Sequence, residues 1–176
     1  MRERHSLKKW LGGLAMAAVL AAGCGHYEVI DRPTVPLARF GSISMGRFTT
    51  DEFLASLRGS ERYEKYLPVT AEANRAVYMA IRDRLERVPV TAGGPRLVLS
   101  ANLTDFATGS GAARAMAFVG LVPGGAGEGV IDYHITLSSE GQLVASYNVR
   151  RKITGGASGA YEAEGADIVS FLLDNQ

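Results

Sequence analysis

The stretch GVIDYHITLSSEGQLVASYNVRRKIT, residues 129–154, decides the fold. Ile131, Tyr133, Ile135 and Leu137 alternate with Asp132, His134, Thr136 and Ser138, the period of two expected of a strand buried on one face. After Ser138-Ser139-Glu140-Gly141-Gln142 the alternation resumes with Leu143, Ala145, Tyr147, Val149 and Ile153. Gly141 can supply the positive φ that a tight turn requires, so the two runs predict an antiparallel hairpin with one apolar side.

Working outward, residues 96–106 place Leu97, Leu99, Ala101 and Leu103 on one face at the same period and predict a further strand. Residues 71–88 change period: Ala73, Ala76, Val77, Ala80, Ile81, Leu85 and Val88 recur every three or four positions, with Arg75, Arg82, Asp83, Glu86 and Arg87 opposite. That spacing predicts an amphipathic helix lying on a sheet. Residues 161–173 repeat it with Ala163, Ala166, Val169, Leu172 and Leu173, after a flexible link over 155–159. Toward the start, RFGSISMGRFT (39–49) reads as a first strand. Thr49-Thr50-Asp51-Glu52 matches a capping box ahead of a short helix carrying Phe53, Leu54 and Leu57. The expected order is β-α-α-β-β-β-α. It implies an α+β two-layer sandwich: a mainly antiparallel sheet of about four strands with helices on one face.

The first 23 residues follow a different logic. Arg2, Arg4, Lys8 and Lys9 precede LGGLAMAAVLAAG, an uncharged apolar run too short for a permanent membrane helix, which is the outline of a cleaved signal peptide. The run ends in Leu20-Ala21-Ala22-Gly23-Cys24, which resembles the bacterial lipobox. On that resemblance cleavage falls between Gly23 and Cys24, and the thiol of the chain's single cysteine receives a diacylglycerol. Gly25 stands where lipoproteins retained in the inner membrane typically carry aspartate, so the resemblance implies the periplasmic face of the outer membrane. Residues 24–37, with Pro33 and Pro36 and no apolar period, are expected to form an extended tether, leaving 38–176 as one α+β domain.

Removing residues 1–23 takes away four of the 19 basic and one of the 18 acidic side chains, leaving fifteen against seventeen and a net charge of −2. The compact basic group is Arg150-Arg151-Lys152, with Arg114 as a further candidate, and three adjacent cations suit a solvated strand end better than a phosphate track. A nucleic-acid partner is therefore excluded. With one cysteine no disulfide can form within the chain, so stability rests on packing.

The candidate sites are sparse. Gly109-Ser110-Gly111-Ala112-Ala113-Arg114 has Arg114 at the third glycine position of a dinucleotide fingerprint and no βαβ unit around it. Gly124–Gly129 lacks the lysine and hydroxyl residue of a phosphate loop and reads as a connection between strands, or functionally as a rim for a partner or lipid. The apolar run 115–122 is expected to bury under the sheet rather than stand as an exposed patch. Asp132 and His134 share the polar side of one strand, but a metal site needs three or four ligands, and the other histidine of the mature chain, His26, falls in the tether. No serine stands in a GxSxG elbow, and Asn102-Leu103-Thr104 is a chance sequon. No catalytic set, metal or cofactor is expected.

The lipobox, the helix, the segment GSGAARAMAFVGLVPGGAG and the hairpin GVIDYHITLSSEGQLVASYNV together resemble the DUF4410 family of uncharacterised bacterial lipoproteins, over roughly residues 38–173. Arg114 ahead of the apolar, glycine-rich stretch carries most of the likeness, with Pro123 interrupting it. The resemblance implies the fold and no enzymatic residues. The functional expectation is a non-catalytic envelope lipoprotein, anchored in the membrane by its lipid, that binds an envelope protein or export machine through a sheet edge or the glycine loop. The alternative is a ligand-binding domain or enzyme acting on lipid or cell-wall fragments, with Arg114, Asp132 and His134 as its residues.

Overall fold

The structure, a computed structural model, describes residues 26–31, 37–109, 129–153 and 157–174. Five strands form one sheet: β1 (His26–Asp31), β2 (Ser42–Thr49), β3 (Arg96–Ala107), β4 (Gly129–Ser139) and β5 (Gln142–Ile153). The helices are α1 (Asp51–Ser56), α2 (Arg62–Leu85) and α3 (Ala157–Asp174), with a 3-10 turn at Leu37–Arg39. The sheet order is β1-β5-β4-β3-β2. Every neighbouring pair is antiparallel except β2 and β3, which run parallel. A parallel neighbour cannot be reached by a tight turn, and the α1–α2 crossover supplies the required return. This is the expected α+β sandwich, with one more strand.

The period-two reading holds along the central strands. Leu97, Leu99, Ala101 and Leu103 of β3, Ile131, Tyr133, Ile135 and Leu137 of β4, and Ala145, Tyr147 and Val149 of β5 are all buried. The helices close over this side. Phe106 of β3 meets Phe53 of α1, Tyr66 of α2 and Tyr161 of α3 at ring-centroid distances of 6.3, 6.0 and 6.3 Å, so one aromatic group ties three helices to the sheet. Tyr147 stacks on Phe171 at 3.8 Å and donates its hydroxyl hydrogen to the Ile168 carbonyl at 2.9 Å, satisfying a polar atom that would otherwise be buried bare.

Several expectations are corrected. The stretch read as a tether contains β1, whose Tyr27, Val29 and Ile30 have strand-forming side chains, and β1 pairs along the outer edge of β5 from His26↔Arg150 onward. Leu37, at the end of that stretch, is 1% exposed and belongs to the core. Leu143 is 59% exposed because a bulge at Leu137/Ser138 shifts the ladder there. The capping box does not form: no side chain caps α1 at Thr50, and Asp51 N–H instead donates to Thr49 Oγ1 at 3.0 Å. α2 begins at Arg62, nine residues before the expected start at 71, and passes through Pro68, and buried Thr70 donates to the Tyr66 carbonyl at 2.8 Å just beyond it. α3 begins at Ala157, inside the supposed flexible link, and its buried face is Tyr161, Glu164, Ile168, Val169, Phe171 and Leu172, leaving Leu173 45% exposed.

The crossing of α2 and α3 depends on Gly165. A Cβ there would stand 2.6 Å from Ala80 Cβ and 3.1 Å from the Val77 carbonyl oxygen. Alanine would gain about 1 kcal/mol of helix propensity, but overpacking of a rigid contact costs about 1–3 kcal/mol, so the clash decides the sign. Gly165→Ala is expected to lower Tm by several degrees, and adding Ala80→Gly should recover part of the loss. A Tm for Gly165→Ala at or above that of the parent would show that the helices separate freely.

Candidate functional site

Arg114, Gly23 and Cys24, and the apolar run 115–122, lie outside the described residues. Asp132 and His134 are placed as expected, on the side of β4 turned away from the helices, but each is engaged separately. Asp132 Oδ2 lies 3.8 Å from Arg150 Nε of β5, and Arg150 also reaches Asp105 of β3 at 3.5 Å. His134 Nδ1 sits 3.0 Å from Asn148 Oδ1, a bond in which the imidazole N–H donates to the amide oxygen. This face is a row of cross-strand polar pairs. Among the described residues no three of His, Cys, Asp or Glu are grouped to hold a metal ion.

The less expected polar group lies on the other side of the sheet. Along β5, Val149, Arg151 and Ile153 share the helix-facing parity, so Arg151 enters beneath α3. Asp167 of α3 meets it there: Nε donates to Oδ2 at 2.8 Å, and the second nitrogen lies 2.6 Å from the same oxygen, with both side chains less than one fifth exposed. One helical turn earlier, Glu164 is 0% exposed, and among the described residues neither of its carboxylate oxygens has a hydrogen-bond partner. Tyr133 of β4 turns its hydroxyl to Asn74 Oδ1 of α2 at 3.1 Å.

Burial holds the Glu164 carboxyl well above the usual carboxylate range, and the negative charges of Asp167 and Asp132 raise it further against the opposing pull of Arg151. Burial also raises Asp167, opposed by its hydrogen bond and charge pairing with Arg151. The Tyr133 phenol is raised by burial first and by Glu164 second. Arg151 thus faces two acids, and Glu164, the one with no hydrogen-bond partner among the described residues, is the one that burial pushes hardest toward its neutral form. Because neither oxygen of Glu164 reaches solvent, the group can hold a proton but cannot pass it to a substrate in this conformation. The sequence did carry a signal for it: Glu164 falls three residues after Tyr161 and four before Ile168, an apolar position of the helix.

An open groove of about 480 Å³ lies elsewhere, between the end of β2 and α2. Arg47, Phe48, Thr49 and Thr50 form one wall and Asn74, Arg75 and Tyr78 the other, with Phe48 and Tyr78 in edge-to-face contact at 5.2 Å. No motif in the sequence pointed to it, because its walls come from segments joined only by the fold.

No family model matches the chain, and no curated protein matches it. Among solved structures it is similar to the PelC dodecamer from Paraburkholderia phytofirmans, at 16% identity and a TM-score of 0.46, covering 85% of this chain and 97% of that one. A leucine-to-methionine variant of the same PelC gives 17% identity and a TM-score of 0.49 over the same shares.

The raised Glu164 carboxyl predicts a pH signature. In the unfolded chain the group ionises from about pH 4.5, whereas in the fold burial moves its ionisation well above that, so this group's contribution to stability is fully present below pH 4.5 and falls as pH rises toward the folded pKa. The slope is at most about 1.4 kcal/mol per pH unit. Glu164→Gln keeps the shape and removes the titration, so it is expected to raise Tm at pH 8 and to leave it nearly unchanged near pH 4.5. Thermal melts across that range check this, and a gain of equal size at both ends would trace to packing instead of charge.

Proposed function

We propose that the chain is a non-catalytic bacterial envelope lipoprotein, lipidated at Cys24 and held at the periplasmic face of the outer membrane, where it serves as an accessory or assembly component binding another envelope component. The observation that carries this reading is the sequence Leu20-Ala21-Ala22-Gly23-Cys24 at the end of an apolar run that follows four basic residues. No described helix is long and apolar enough to cross a membrane, so in this reading attachment falls to the lipid. The partner is an envelope protein or export machine. Among the described residues β2 pairs on one side only, with β3, and its outer edge suits the addition of a partner strand.

A second reading, a ligand-binding domain or enzyme acting on lipid or cell-wall fragments, is favoured by one feature. The groove sets Arg75 beside Tyr78 and two threonine hydroxyls, with Arg47 paired to the Asp51 carboxylate at 2.7 Å, a lining suited to a polar, partly apolar molecule.

Crosslinking in intact cells followed by mass spectrometry separates the two. For the lipidated protein a defined envelope protein is expected, and Cys24→Ala should release the chain from the membrane fraction and lose that crosslink. Retention of Cys24→Ala in the membrane fraction would overturn the lipid anchor. Recovery of a small molecule without a protein partner would move the assignment to the groove.

A further inference from the structure

β1 joins the sheet at His26, opposite Arg150. Gly25 alone separates His26 from Cys24, and two residues of fully extended chain span at most about 7 Å, so an anchor on Cys24 is tied closely to the sheet edge. The same end of the sheet holds the last residues of β3 and β5 and the first of β4, through the pairs Ala107↔Val130, Val130↔Lys152 and Gly129↔Ile153. Arg150 and Lys152 are exposed there. The Glu140-Gly141 turn lies at the other end of the β4–β5 ladder, roughly 33 Å away at strand spacing.

We propose that the sheet end marked by His26, Arg150 and Lys152 is a membrane-contacting face, seated on phospholipid headgroups, with the Glu140-Gly141 hairpin directed away from the bilayer. This rests on lipidation of Cys24. A diacylglycerol on that cysteine sits at the base of the headgroup layer, and a strand starting two residues later has no slack with which to stand off. Arg150 and Lys152 then fall within about one Debye length, ~8 Å, of the phosphate layer, where guanidinium and ammonium groups donate to phosphate oxygens. The pairing of Arg150 with Asp105 and Asp132 at 3.5 and 3.8 Å balances much of the charge at this end. The short anchor therefore sets the orientation, and the two cations add hydrogen-bond contacts to headgroup phosphates without making this end strongly positive.

The test uses the full lipidated protein in vesicles of phosphatidylethanolamine and phosphatidylglycerol carrying a fluorescent headgroup acceptor. Lipidation consumes the chain's one thiol, so a donor dye can be placed by Val130→Cys at the proposed contact face, or by Leu143→Cys near the hairpin, eight residues of ladder and roughly 27 Å farther out. Energy transfer is expected to be several-fold stronger from position 130 than from 143. Equal transfer from both would overturn the proposal, because a domain swinging on a free leash averages its ends. Replacing Arg150 and Lys152 by Gln should weaken transfer from 130, and unchanged transfer would overturn their assignment as the headgroup contacts. Intact mass lacking a diacylglyceryl group at Cys24 would overturn the lipoprotein reading itself, a failure distinct from the loss of orientation.

Discussion

The register between β4 and β5 is the constraint on which the rest of the molecule depends. Glu140 and Gly141 both take positive φ, 52° and 80°, and Ser139 faces Gln142 across a two-residue connection. That backbone shape matches the right-handed twist of the flanking strands, so the turn aligns the ladder without slack. A slip by one residue would turn Asp132, His134 and Thr136 under the helices and put Ile131, Tyr133, Ile135 and Leu137 into water. The bulge at Leu137/Ser138 absorbs the local mismatch near the turn and leaves Leu143 outside, while the pairs from Leu137↔Ala145 to Ile131↔Arg151 stay in phase.

The same parity that buries Tyr147 and Val149 also carries Arg151 inward, and α3 answers it with Asp167. Packing and charge are therefore not independent at this end of the sheet. The close approach of α2 and α3 at Gly165 seats Glu164 and Asp167 on either side of the crossing, so the helix cannot rotate to move Glu164 outward without breaking its contact with Ala80 or the Arg151 bridge. On the opposite face the ion pairs of Arg150 are longer, and the pair with Asp105 is half exposed, where such pairs contribute about 0–1 kcal/mol. The two faces thus use similar residues under different physics.

Much of this was legible in the sequence. Alternation identified β3, β4 and β5 and most of their buried side chains, because a half-buried strand writes its burial directly into every second residue. The helix over 71–88 was equally plain, but its first turns were hidden by Pro68, whose local preference is outweighed by burial of Tyr66 and Thr70. β1 was missed because its run is six residues long and Pro33 and Pro36 follow it closely, so its alternation is too brief to stand out, and its partner, β5, lies far along the chain. Asp132 and His134 were placed on the right face, yet their partners, Arg150 and Asn148, follow from register and could not be read from either residue alone. Glu164 was overlooked because the apolar face of α3 had been set by its alanines, when Tyr161 and Ile168 mark the buried stripe.

The pairing of β1 with β5 has a consequence for how the chain comes to be folded. The first strand waits for the last: His26 has no partner until Arg150 has been made and β4–β5 has formed. Local pairs such as the hairpin close quickly, whereas contacts between distant parts of a chain form late because loop closure must precede them. The first strand is therefore the final one to settle, and its segment stays open to solvent while the remainder of the domain assembles.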